Sequence, residues 1–206
     1  MIMSRKVASC WVLAVLVLLA TVVSCRRGPS RIHPPSINAS AAGAKAIELF
    51  DENKDGKISG EELNKCPGLK AALSRVDTGG TGEVTADMIT RRIEEWQKSK
   101  LGRMSFSCQV TRNGQPFSGA EVKFVPESFL GENVKVALGK SDQNGMAMIN
   151  IPETTPPGIA PGMYRVEITK EGVTIPAKYN AETIFGQEIA NDAEGIQEGV
   201  TFDMQF

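Results

Sequence analysis

One histidine, His33, is the only imidazole in the chain, and 6% of the 206 residues are aromatic. A zinc or catalytic role for His33 needs partner residues of the usual kinds, and none surround it between Arg31 and the Pro34-Pro35 pair. The chain also lacks a Gly-x-Ser-x-Gly elbow, a His-Glu-x-x-His pair and a glycine-rich phosphate loop ending in lysine. It is therefore read as not an enzyme. The two tryptophans, Trp11 and Trp96, leave little from which to build an aromatic platform for sugars or bases. No basic tract exceeds two residues and the 23 cations are balanced by 24 anions, which argues against nucleic acid as a partner.

What the chain does contain begins with an apolar run from Val7 to Val23, preceded by Ser4-Arg5-Lys6. That length is at the short end for a membrane span, and it stops on small residues before Cys25, as a processed signal does. Val22-Val23-Ser24-Cys25 resembles a bacterial lipobox. The resemblance implies a signal peptide over 1–24, a lipid on Cys25, a cell-envelope location and sorting to the outer membrane, since Arg26 rather than aspartate follows. An uncleaved N-terminal anchor is the alternative, and either way the remainder lies outside the cytoplasm. Residues 25–40, with two adjacent prolines and little apolar content, read as a tether. Cys10 leaves with the signal, so Cys66 and Cys108 remain, and an oxidising compartment permits one Cys66–Cys108 bridge.

Residues 51–62 are the most informative stretch. Oxygen donors stand at positions one, three and five (Asp51, Asn53, Asp55), and Gly56 stands at position six, where a sharp turn needs φ > 0. Lys57 at seven needs only its backbone carbonyl, Ser59 at nine can hold a water, and Glu62 at twelve can supply two oxygens. Such a set wraps a hard divalent cation, with three carboxylates offsetting its charge. It resembles the calcium loop of an EF-hand at every ligand position. The resemblance implies Ca2+ as cofactor, bound by Asp51, Asn53, Asp55, Lys57, Ser59 and Glu62.

Asp77–Met88 repeats the pattern in damaged form. Gly82 keeps position six, but Gly79 offers no side-chain oxygen at three, and Met88 replaces the glutamate at twelve. Calcium binding there is expected to be weak or absent, and the segment is read as the partner that completes a pair over 41–100. Apolar stripes support this: Ile47 and Phe50 before the first loop; Leu69, Leu73 and Val76 before the second; Ile89, Ile93 and Trp96 after it. Arg91, Arg92, Glu94, Glu95, Lys98 and Lys100 are expected to solvate the opposite helix face.

From Ser105 the period becomes two. Phe106, Cys108 and Val110 alternate with polar residues, as do Ala120–Phe124, Val134–Leu138, Tyr164–Ile168 and Val200–Phe206; Met146–Ile151 and Val173–Pro176 are further candidates. Asn113-Gly114 reads as a tight turn. Phe129 and Leu130, in the loop 127–133, either form an exposed binding edge or fold onto the sandwich, and the second is preferred. About seven short strands indicate an antiparallel β-sandwich over 104–206. The stretches Val110–Pro126, Ser141–Ile149 and Pro161–Val166 resemble carboxypeptidase-regulatory-like and transthyretin-like domains. With the lipobox and the loop pair, the whole is similar to small lipoproteins of planctomycete-type bacteria.

The expected fold is α+β in two modules: a helical EF-hand pair, then an Ig-like or transthyretin-like sandwich of about seven strands. The expected protein is lipid-anchored in the envelope and uses calcium structurally, and its non-catalytic sandwich meets an unknown protein or surface polymer. A calcium-responsive sensor or adaptor, or a surface carbohydrate binder, is the alternative.

Overall fold

Asn38 opens the first helix, its Oδ1 accepting the Ala41 N–H at 3.0 Å, and α1 then runs Ala39–Phe50. A computed structural model describes residues 32–197 and 199–206; the expected signal peptide over 1–24, Cys25 and the first part of the expected tether lie outside them. After the first loop come β1 (Ile58–Ser59) and α2 (Gly60–Asn64). Pro67 has no N–H to continue a helix, yet its fixed φ suits a first turn, so it opens α3 (Pro67–Ala71). Next come α4 (Leu73–Val76), β2 (Glu83–Val84) and α5 (Ala86–Ser99). The stripe Ile89, Ile93 and Trp96 on α5 is buried, as its spacing predicts. The two loops are joined where β1 pairs antiparallel with β2, with Ile58 opposite Val84 and both side chains fully buried.

The rest is β structure: β3 (Ser107–Arg112), β4 (Gln115–Pro116), β5 (Glu121–Pro126), β6 (Ala137–Lys140), β7 (Met146–Met148), β8 (Gly162–Thr169), β9 (Gly186–Ile189) and β10 (Val200–Met204). One sheet has the order β6-β5-β8-β9. In the other, β3 is flanked by β10 on one edge and by β7 and β4 along the opposite edge. Among the described residues this makes five α-helices and ten strands in three sheets, an α+β chain. The sheets face one another through Phe124 of β5, whose ring lies 5.5 Å from Phe106 and 6.1 Å from Phe202. Full burial of side chains such as Phe124 contributes roughly 1.5–3 kcal/mol each.

Three expectations need correction. The sheets are not wholly antiparallel: β10 runs parallel to β3, from Val200 opposite Cys108 to Met204 opposite Arg112. A parallel pair requires a long crossover, and here nearly the whole β region lies between the two strands. Val173–Pro176 forms no strand; Val173 N–H closes a turn onto the Lys170 carbonyl, and Pro176 leads into a 3₁₀ turn over Ala177–Tyr179. The tether is docked before residue 40: Ile37 is buried, its carbonyl accepts from Gln97 Nε2 at 2.6 Å, and the Ser36 carbonyl accepts from Asn133 Nδ2 at 2.8 Å.

Residues 33–206 form one unit, in which α3 packs on β8 and β9. The approach is close. A Cβ built on Gly186 of β9 would lie 1.9 Å from the Pro67 carbonyl oxygen, so glycine is what allows α3 to rest on the strand backbone.

Candidate metal loop and its seat

Asp51 follows the last residue of α1, and its carboxylate turns back into the loop it begins. Oδ2 accepts the Gly56 N–H at 2.9 Å and Oδ1 accepts that of Asp55 at 3.2 Å. Asn53 Oδ1 takes the same Asp55 N–H at 2.8 Å, and Asp55 Oδ1 takes that of Lys57 at 2.9 Å. Asp51, Asn53 and Asp55 are thus drawn together by the backbone they enclose, which is possible because Gly56 turns the chain at φ 85°. Ser59 is the N-cap of α2, and Glu62 sits on its first turn.

Glu62 is engaged differently. Its Oε2 accepts the Ser59 N–H at 3.0 Å, while Oε1 accepts those of Glu52 at 2.8 Å and Asn53 at 3.2 Å. These N–H donors, Ser59 first, hold its carboxyl below the usual range. Accordingly, among the described residues no three Asp, Glu, His or Cys side chains converge as a metal-holding group. The donor chemistry nonetheless fits a hard cation: three carboxylates and an amide, all in one loop, three of them already neighbours. Asn53 presents Nδ2 to Asp55 Oδ2 at 3.1 Å, so both Asn53 and Glu62 would exchange hydrogen bonds for metal coordination.

The second loop shows what the first has in addition. Asp77 Oδ2 accepts the Gly82 N–H at 2.7 Å, matching Asp51 and Gly56. Where Glu62 meets Ser59, Met88 Sδ meets the Thr85 N–H at 3.5 Å, so a thioether fills the corner that needs a carboxylate. Lys57, beside β1, pairs with Glu83 of β2 and ties the loops together; the Glu83 hydrogen bond and charge raise the lysine pKa.

Set beside known protein families, curated proteins and solved structures, the chain matches none. Among the described residues no helix is long and apolar enough to cross a membrane.

The seat of the loop pair on the sheets is built from residues that local patterning does not single out. Arg92, expected on a solvated face, is buried: its Nε donates to Glu188 Oε1 of β9 at 2.6 Å, and its guanidinium forks onto Asp192 with two bonds of 2.9 Å. Trp96 Nε1 donates to the same Glu188 oxygen at 2.9 Å. The Arg92 bonds hold Asp192 below the ordinary carboxyl range, while burial drives Glu188 upward against the pull of Arg92 and Trp96. Glu127 is the second buried acid; its Oε1 accepts the Gly68 N–H at 2.7 Å, and burial raises its pKa. Phe129 and Leu130 are buried, and Phe129 meets Phe50 edge-on at 6.5 Å between ring centroids. Loop 127–133 is thus part of the seat rather than an exposed edge.

The candidate Cys66–Cys108 bridge is not formed; both thiols are free and buried. Cys66 lies beside Glu127 where α3 meets β8 and β9, whereas Cys108 lies on β3 of the other sheet. The β5–β8 layer separates them, and no sequence spacing could reveal that.

Proposed function

We propose that this chain is a lipid-anchored cell-envelope protein that binds one structural Ca2+ through loop 51–62. In this reading 41–100 is an EF-hand pair with one competent loop. The sheets over 104–206 form a non-catalytic, transthyretin-like sandwich used for interaction with a protein or surface polymer. The membrane partner is the bilayer that holds the Cys25 lipid.

The observation that carries the reading is the convergence of Asp51, Asn53 and Asp55 around the Gly56 turn, with Glu62 at the start of the next helix and Ile58 paired to Val84 of the companion loop. A structural role is favoured over a sensor because the helices around the loop are packed on the sheets through buried groups. A site of this extracellular kind, with Kd ~10⁻⁴ M in ~1 mM calcium, stabilises by about 1.4 kcal/mol.

Calorimetric calcium titration of the mature chain, beside Glu62→Gln, tests the reading. One site that disappears in the variant, with the melt raised by calcium in wild type alone, is the expected result. No heat up to several millimolar calcium would overturn it.

A further inference from the structure

Two residues of one sheet-derived segment grip the two sides of loop 51–62. On the entering side, Phe50 is the last residue of α1, directly before Asp51, and its ring packs edge-on against Phe129. On the leaving side, α2 is followed at once by α3, whose Gly68 N–H donates to Glu127 Oε1 at 2.7 Å. Glu127 and Phe129 stand two residues apart, immediately after β5 ends at Pro126. The same segment reaches Asn133, whose amide pins the Ser36 carbonyl just ahead of α1.

The two grips differ in slack. A Cβ on Gly68 would lie 2.8 Å from the Tyr164 backbone nitrogen and from Glu127, and one on Gly186 would lie 1.9 Å from the Pro67 carbonyl oxygen. The leaving side is therefore wedged against β8 and β9, with no room to shift. On the entering side the middle of α1 is as tightly held, a Cβ on Gly43 lying 2.4 Å from the Ala86 carbonyl oxygen, but its last residue, Phe50, rests on a half-buried ring contact. If Glu62 gives up the N–H groups of Glu52 and Asn53 to take a cation, the backbone of 52–53 must resettle. With the leaving side fixed, that adjustment passes into the end of α1.

We infer that Phe129 reads the metal state of loop 51–62 through Phe50 and transmits it to the segment 127–133 at the end of β5. The sheet region thereby gains a calcium-dependent loop, although none of its own residues would touch the ion. This rests on the calcium reading above.

The test is amide hydrogen exchange of the mature chain in detergent, with calcium and with a chelator, alongside calcium calorimetry on each sample. The informative amides are those of Glu127, bonded to the Met163 carbonyl, and Leu130, bonded to the Glu127 carbonyl. Calcium is expected to slow their exchange about fivefold or more in wild type. The effect should vanish in Glu62→Gln together with calcium binding. It should also vanish in Phe129→Leu while calcium binding remains, and the milder leucine keeps the site filled if alanine fails to fold. Calcium heat without a change at 127–130, or a change that survives in Phe129→Leu, would overturn the inference alone. Absence of calcium heat in wild type would overturn the calcium reading and this inference with it.

Discussion

Arg92 Nε and Glu188 Oε1 meet at 2.6 Å, and each side chain is only 1–2% exposed. The pair joins α5 to β9, a helix after the second loop to a strand nearly a hundred residues later. Two ions have been taken out of water here, and the second Glu188 oxygen has no hydrogen-bond partner among the described residues. Such a pair adds little over an apolar pair of the same volume, but leaving one member alone costs heavily.

We expect Glu188→Leu, which takes the fully buried partner from Arg92 and Trp96 and leaves Arg92 to the more exposed Asp192 and Glu95, to lower unfolding free energy by about 1–3 kcal/mol in urea. Adding Arg92→Met should recover most of that loss. If the double variant were as unstable as the sum of both singles, the two residues would not be acting as a pair.

The companion loop offers a gain-of-function test. Gly79 has room for a side chain, since a Cβ there would meet only Asp77 Oδ1 and a Thr81 methyl at 3.7 Å. Met88 already occupies the helix-start corner that Glu62 fills in the first loop. We expect Gly79→Asp with Met88→Glu to raise calorimetric stoichiometry from one calcium to two, and Met88→Glu alone to give a much weaker second site. Unchanged stoichiometry in the double variant would mean that donor identity alone does not make this loop a site.

How much of this could be read in advance depends on whether the signal is local. Ile89, Ile93 and Trp96 repeat at helical spacing, and Tyr164, Val166 and Ile168 alternate, so their burial follows from period alone. The turn at Asn113-Gly114 is likewise local, both residues having φ > 0. By contrast β9, Gly-Gln-Glu-Ile, has no apolar alternation; Glu188 is buried because Arg92 and Trp96 reach it from α5. Arg92 itself sits among charged residues and looks solvated until that partner is known. The parallel pairing of β10 with β3 is invisible to a period of two, which marks a strand but not its neighbour. In the candidate site, residue types and spacing were legible, but the hold of Glu62 on the N–H groups of Glu52, Asn53 and Ser59 was not.

Glu127 gives a prediction in pH. Burial raises its carboxyl above the ordinary 4.5, with the Gly68 N–H, Cys66 and Arg165 pulling it back. A raised folded pKa means that the folded chain binds the proton more tightly than the unfolded chain. The stability from this group is full below its ordinary value and is lost as pH climbs through the folded pKa. Glu127→Gln keeps an acceptor for Gly68 but cannot ionise. As pH climbs from the ordinary carboxyl value through the raised folded one, wild type should lose stability relative to the variant in urea titrations; Glu188 acts equally in both proteins and cancels. Parallel curves would show that Glu127 does not titrate across this window.

The thiols should be silent in the folded chain. Burial pushes Cys108 up to about 12 and Cys66 higher still, and the thiolate is the reactive form. We expect a thiol reagent to modify neither residue in native protein, and both promptly after unfolding without reductant. Failure to find the two thiols on unfolding would mean that they are bridged in the protein.

Gly186 is where the backbone of α3 lies directly against β9, and its replacement separates fold from site. Alanine there places a methyl 1.9 Å from the Pro67 carbonyl oxygen and 2.6 Å from the Gly68 nitrogen. Both neighbours are backbone, so no side chain can swing away, and α3 must lift from β9. Lifting α3 also strains the Gly68–Glu127 bond and the corner occupied by Cys66. We expect Gly186→Ala to cost about 3 kcal/mol or more, the upper range of overpacking. Cys66 should become reactive in the native state while Cys108, on the far sheet, stays protected. Gly195→Ala, at a surface turn with φ 75°, controls for glycine loss alone and should leave both thiols protected. A Gly186→Ala protein that kept Cys66 silent and melted like wild type would show that α3 does not depend on this approach, and the wedge on the leaving side of loop 51–62 would have to lie elsewhere.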